Sequence, residues 1–441
     1  MLVTRLLLFF SGNIPRMALI LMSVLVLIPP NLGAQATVEE DLATRLKALE
    51  ERVRQLEAEL AAVKASQAAP PAESAAAPTV ATQAAPSVPT AQAPPGPLGA
   101  PAGQLPVYGG TSALSKIFNP DIGVVGNFNG VVGHNRVNPM PALTLQESEV
   151  SFQAIVDPYA RADFFLAFSE EGVEVEEGYL TFPAVPGGFL VKVGQMRAAF
   201  GKTNELHNHS LTWIDRPLMA INLMGGSPEE ADTGIKDAGL SVSRILPAPG
   251  GVYLEATAQL YRGDSGTLFE ASERSDVAVV GHLRSYYDLT DQTNLEVGGS
   301  YARGHNDFGS DFVTRLFGLD ATLRWKPLRR AIYHSFIART ELTWSRRDDP
   351  LGPQRTFGYF GALDYQLARR WFLGGRYDWS ERAQNATEHD SSGSVVLTFW
   401  PSEFSGIRGQ LRRTRYAEGI TANEFLFQFL FTLGAHGAHT F

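Results

Sequence analysis

The sequence contains no cysteine. That absence excludes disulfide frameworks, thiolate metal centres, iron–sulfur clusters and thiol catalysis. It also suits a chain exported to an oxidising compartment. An excess of basic charge is missing as well. The 37 Lys and Arg stand against 46 Asp and Glu, a net charge of -9, which argues against nucleic acid as a partner. Beyond the N-terminus there is no long apolar run, so no helical membrane span is expected downstream. Phosphate-binding loops, dinucleotide fingerprints and the serine nucleophile elbow are lacking too. Ser210 beside His209 is too common a pair to argue catalysis from, and no enzyme is expected. What the chain has in abundance is glycine (42) and aromatics (26 Phe, 13 Tyr, 6 Trp), spread over 441 residues. Its mean hydropathy of -0.07 conceals a segregated chain.

The N-terminal quarter divides into three parts. Residues 1–36 carry a secretory signal: Arg5 and Arg16, an apolar run from Met17 to Ile28, and Ala34-Gln35-Ala36 as a small-x-small cleavage site. An uncleaved anchor is the alternative, but the run falls short of the about 20 residues that a bilayer span needs. Residues 37–65 show heptad spacing. Leu46, Val53 and Leu60 occupy a, while Leu42, Leu49, Leu56 and Val63 occupy d. Arg45 with Glu50, Arg52 with Glu57 and Glu59 with Lys64 supply opposite-charge g–e′ pairs, which favour a parallel, in-register homo-oligomer. A single amphipathic helix lying on the chain's own body is the alternative. Residues 66–106 form a linker with 13 Ala, 10 Pro and one charge, Glu73, in 41 residues. Such a composition cannot bury a core and favours extended backbone.

Residues 107–441 carry the period-2 pattern of a transmembrane β-barrel. Val150, Phe152, Ala154 and Val156 share one face, and Glu149, Ser151 and Gln153 the other. Leu373, Gly375, Tyr377 and Trp379 alternate with Arg376 and Asp378. A soluble sandwich also alternates. Two features favour the membrane: charges recur on the polar face in strand after strand, as a wet lumen requires, and Tyr286, Tyr287, Trp325, Trp344, Trp371, Trp379 and Trp400 fall near strand ends, where interfacial girdles sit. Phe425, Phe427, Phe429, Phe431 and Leu433 alternate near the end of a chain that stops at Phe441. At roughly 20 residues per strand with its connection, about 16 antiparallel strands are expected, wide enough for an aqueous channel. The fold class is thus all-β, behind a coiled coil and an Ala/Pro linker.

Signal, coiled coil, linker and Gly/aromatic barrel together resemble the phosphate-selective porin O/P-like group of Gram-negative outer membranes. The local match is Gly188-Phe189-Leu190-Val191-Lys192-Val193-Gly194-Gln195-Met196-Arg197 followed by Phe200-Gly201. Asn204-Glu205-Leu206-His207-Asn208-His209, Asp215-Arg216-Pro217-Leu218, Pro401-Ser402-Glu403-Phe404-Ser405 and the ending Gly434-Ala435-His436-Gly437-Ala438-His439 are similar to outer-membrane proteins labelled zinc-regulated TonB-dependent receptors. The resemblance implies trimers of 16-stranded barrels and passage of small hydrophilic solutes or anions such as phosphate. The terminal Phe resembles the signal read by the barrel assembly machinery. The 335 residues after the linker cannot supply both a 22-stranded barrel and a plug, as an active receptor needs, so the alternative function is a plugless uptake or binding barrel linked to zinc or another metal. The expected surroundings are outer-membrane lipid, with the N-terminal region in the periplasm. Contact of the coiled coil with periplasmic partners or peptidoglycan would make the barrel a structural anchor, a further alternative.

Candidate functional residues fall in three groups. Lys192, Arg324, Arg339, Arg376, Arg408 and Arg412 have lumen-facing parity, and Asp320, Glu341 and Asp378 share it and are expected to pair with them across strands. The barrel region holds 30 Lys and Arg against 38 Asp and Glu, so anion selectivity requires basic side chains concentrated at a constriction. Residues 198–237 break the strand rhythm, which makes Lys202, Asp215 and Arg216 candidates for a constriction loop. Finally, His207-x-His209 places two imidazoles on one side of extended backbone. That suits a divalent metal such as Zn²⁺ if Asp215 or another acid completes the site, with His436 and His439 as a second weak site. Ordinary polar loop histidines are the alternative.

Overall fold

The computed structural model describes residues 120–169, 172–225 and 234–434, together with Arg54, which is helical and exposed. The signal segment, the coiled-coil seam, the linker, and His436 and His439 lie outside the described residues.

Sixteen strands follow one another: β1 (Asp121–His134), β2 (Leu143–Asp157), β3 (Ala160–Ser169), β4 (Gly172–Val185), β5 (Phe189–Arg197), β6 (Lys236–Leu246), β7 (Tyr253–Tyr261), β8 (Ala278–Thr290), β9 (Thr293–Asn306), β10 (Gly309–Trp325), β11 (Phe336–Arg347), β12 (Gln354–Ala368), β13 (Trp371–Arg382), β14 (Asn385–Ser402), β15 (Ser405–Arg415) and β16 (Thr421–Gly434). Each pairs antiparallel with its neighbours in sequence, and β16 pairs with β1, so the sheet closes. Closure is what lipid demands, because an open edge would leave unpaired backbone groups at a cost of several kcal/mol each. Strands as long as the 17 residues of β10 and the 18 of β14 exceed the about 10 that cross a bilayer, and their ends extend past it.

Burial inverts the soluble pattern. On β16 the outward Phe425, Phe429 and Phe431 are exposed, whereas the inward Leu426 and Gln428 are fully covered. On β13 Leu373 and Tyr377 face out, and Arg376 and Asp378 are buried inside. Two aromatic groups mark the barrel's two ends: Trp344, Phe357, Tyr359 and Trp379 at one, and Trp371 stacked 4.5 Å from Phe399 at the other. The closing seam sets rings over glycines. Gly126 faces Phe431 and Gly130 faces Phe427, and a Cβ at Gly126 would come within 2.0 Å of the Phe431 ring. Short links such as 158–159, 291–292 and 403–404 lie at the end that holds both termini of the sheet. The two longest connections, 198–235 and 262–277, leave from the opposite end.

Candidate functional site

Residues 198–235 join neighbouring strands, β5 and β6, yet touch the inner faces of strands all round the barrel. His207 meets β2 and β4, Gly201 meets β9, Lys202 meets β9 and β11, and Asp215 meets β13 and β15. With those partners, the described part of the segment, 198–225, lies inside the lumen.

Its path follows from its residues. Ala198 and Phe200 are buried against the wall. Gly201 then takes φ +60, where a side chain is disfavoured. A Cβ there would lie 2.5 Å from Glu341 Oε2. The space it leaves lets the Glu341 carboxylate accept from the Lys202 and Thr203 backbone N–H groups at 3.2 and 2.8 Å and from the Thr203 hydroxyl. That carboxylate satisfies the first amides of a short 3₁₀ turn, Thr203–Glu205. Asn204 donates to the carbonyls of Ala198 and Ile235 and accepts from the Ile235 N–H, tying the two roots of the segment together. After Pro217 a six-residue helix, α1 (Leu218–Leu223), buries Met219, Ala220 and Leu223 against β12 and β13.

Two groups of charges hold this segment. At the first, His207 places Nδ1 2.6 Å from Glu149 Oε2 and Nε2 2.9 Å from Glu177 Oε2, with Glu176 Oε2 3.2 Å from Nδ1. His209 Nδ1 stands 3.7 Å from Glu149 and 3.9 Å from Glu147. Consecutive Glu176 and Glu177 both face inward because the β3–β4 register shifts between Phe165 and Leu166, a bulge that leaves Glu176 unmatched. Burial opposes a charge on His207, but Glu176 and the bonds to Glu149 and Glu177 outweigh it and hold its pKa well above the usual histidine value. Burial pushes His209 down, which the Glu149 charge only partly offsets.

At the second, Asp215 accepts from Arg376 at 3.0 Å, Arg412 at 2.8 Å and Gln410 at 2.6 Å. Burial would raise its pKa, but Arg376 and Arg412 outweigh burial and hold the carboxyl well below its ordinary range. Arg376 also stacks over Trp213, 5.1 Å to the ring centroid, and bonds Asp378 at 2.8 Å. Arg412 continues to Glu424 at 2.8 Å.

The remaining sequence candidates fall as follows. Arg324 and Lys202 both reach Glu296, each at 2.8–2.9 Å, and Arg339 pairs with Asp364 at 2.7 Å. Arg408 bonds Gln428 and lies over Trp400, and Lys192 lies over the Tyr179 ring. The cross-strand pairing expected of Asp320, Glu341 and Asp378 differs in detail. Asp378 pairs along its own strand with Arg376, Glu341 is taken by the infolded backbone, and Asp320 lines a cavity. Arg216 is not a lumen charge. Its buried guanidinium donates to Asn208 Oδ1, Thr203 O and Leu206 O and binds the segment to itself. Asp215 does not join the histidines, because the arginines of β13 and β15 take it. Sequence reasoning passed over Glu147, Glu176 and Glu177, and placed Glu149 only on the polar face. A cavity of about 50 Å³ lies beside the segment, and Lys202, Asp215, Asp320, Arg339, Glu341 and Arg376 help line it.

No family model matches the chain. An uncharacterized protein of Aquifex aeolicus (strain VF5) is 28% identical over 347 residues, 70% of this chain and 72% of that one. Among solved structures, the anion-selective porin from Comamonas acidovorans superposes with TM-score 0.52 and 10% identity, over 71% of this chain and 99% of the porin. OprB of Pseudomonas putida, in a high-pH structure, gives TM-score 0.50 and 9% identity, over 73% and 95%. The chain has the fold of outer-membrane porins.

Proposed function

We propose that this protein is an outer-membrane channel for passive diffusion of small hydrophilic solutes and ions, with the infolded residues 198–225 as its constriction. The observation that carries the reading is the infolded segment itself. It narrows a polar lumen while leaving open space beside Lys202, Asp215, Arg339 and Arg376. No chemical step is involved; width and charge at the constriction set what passes. Preference for anions, phosphate among them, rests on Arg408, which bonds the neutral Gln428, because Arg339, Arg376 and Arg412 are each paired with carboxylates. The coiled-coil region, 37–65, is assigned the role of gathering protomers in the periplasm, as a trimer.

Single-channel recording of the refolded protein in a planar bilayer tests this. Stable conductance steps are expected, and replacing residues 203–230 by a short Gly/Ser link should raise conductance several-fold. A folded barrel that never conducts, with or without the segment, would refute the channel. A reversal potential favouring cations would remove the anion preference and leave the channel standing.

A further inference from the structure

We propose that Glu149, His207 and His209, with Glu147 and Glu176 beside them, form a divalent-cation site that staples the infolded segment to β2 and β4. The inference is independent of whether the barrel conducts.

Donor chemistry comes first. Two imidazoles and several carboxylates make a mixed nitrogen–oxygen set, which suits Zn²⁺ and its first-row neighbours better than Ca²⁺ or Mg²⁺, ions that prefer oxygen alone. One ligand atom each from Glu149, His207 and His209 lies within 4.8 Å of the others, and the same holds for Glu147, Glu149 and Glu176. Ligands about 2.1 Å from a tetrahedral ion stand about 3.4 Å from one another. The distances from His207 Nδ1 to Glu176 Oε2 (3.2 Å), and from His209 Nδ1 to Glu149 Oε2 (3.7 Å) and Glu147 Oε1 (3.9 Å), already bracket that spacing. Only the 2.6 Å contact between His207 and Glu149 must open to admit an ion.

The second observation is unmet polar capacity. Glu147 Oε1 and Glu149 Oε1 are buried and accept no hydrogen bond, on residues 4% and 1% exposed. Buried carboxylate oxygens ordinarily have partners. Here Glu147 Oε1 stands 3.9 Å from His209 Nδ1, and Glu149 meets both histidines through its other oxygen, Oε2. Glu147, Glu149 and Glu176 converge in this corner, with Arg197 paired to Glu176, and a dication would offset charge among them.

The surroundings support ligation. Glu177 Oε2 lies 2.9 Å from His207 Nε2, the outer carboxylate that directs the other ring nitrogen towards a metal. Glu177 is itself fixed by the Arg197 backbone N–H at 2.7 Å, and the Arg197 side chain holds Glu176 Oε1 at 2.8 Å, leaving Oε2 on the site. Binding would displace any proton on His207 Nδ1 to solvent.

Zinc binding to the refolded, chelator-stripped full chain is the test, read as metal per barrel after dialysis and as a titration isotherm. About one Zn²⁺ per barrel is expected. His209→Ala and Glu149→Gln should abolish retention, and Glu177→Gln should weaken it by roughly 10–100-fold. Exposed His134→Ala should change nothing. Heat-modifiable electrophoretic migration checks that each barrel is folded. The proposal is overturned if the wild type retains no zinc, or if folded His209→Ala and Glu149→Gln retain as much as wild type. Should those variants not fold, Co²⁺ bound to the wild type decides. A visible spectrum of tetrahedral, nitrogen-ligated cobalt supports the site, and that of the hydrated ion refutes it.

Discussion

The infolded segment is held at two charged anchors built on opposite plans. At Asp215 one carboxylate enters a nest of guanidinium groups, and every cation there has a second acid, Asp378 for Arg376 and Glu424 for Arg412. At His207 and His209 two imidazoles enter a nest of carboxylates, and acceptors are left over. At the first anchor each guanidinium is shared between two carboxylates, although Asp378 Oδ1 is left without a hydrogen bond. The second is complete only with an added cation. Under the proposed function the segment has to stay in place, and a closed charge network achieves that alone. The open one makes part of the segment's hold conditional on what the lumen contains.

The largest effect should come from breaking the closed anchor. Arg376→Ala strands Asp378 in a buried site and takes one of its two guanidinium partners from Asp215, and loss of one partner of a buried pair costs about 3–5 kcal/mol. Urea titration of the barrel in vesicles should report that loss, and single-channel records should become noisy. Asp215→Asn should cost less, about 1–3 kcal/mol, because Arg376 and Arg412 keep Asp378 and Glu424. If the two variants were equal, Arg376 would act only through Asp215, and the idea of a closed network would fail.

Conditions should separate the anchors as well. The Asp215 pKa is depressed below 3.8, so its contribution is fully present above about pH 4 and is lost as pH falls through the depressed value. Hydrogen exchange across residues 212–216 should therefore stay slow from neutral pH down to about pH 4 and rise only in stronger acid. A chelator at neutral pH should leave 212–216 unchanged and speed exchange at 203–210. Loosening of both stretches by chelator alone would show that the anchors are one unit.

The barrel was legible because period 2 is a local signal. Phe425 to Leu433 declare their faces without help from any other strand, and chain length fixes the strand count to a narrow range. The segment was legible as an interruption, which is why Lys202, His207, His209, Asp215 and Arg216 stood out. Their partners were not. Asp215 meets residues 161 and 197 positions away, and no spacing rule spans such a gap. Glu176 was hidden by the bulge, because strict alternation assigns one of two adjacent glutamates to lipid. Arg216 has the type and position of a lumen charge, and only the carbonyls around it reveal a tether.

The smallest expected effect sits ahead of both anchors, at the turn that admits the segment. Gly201 has φ +60, and its missing Cβ is the space occupied by the Glu341 carboxylate. Gly201→Ala meets two penalties: a left-handed backbone that alanine resists, and a displaced carboxylate that caps the Lys202 and Thr203 amides. Together they should lower stability by about 1–2 kcal/mol, visible as an earlier urea midpoint. Both anchors lie beyond this turn and keep their own partners, so zinc retention and the acid threshold at 212–216 should stay as in the wild type. If Gly201→Ala instead loosened both anchors, the turn would govern the segment's placement, and the two charged nests would be its consequences rather than its causes.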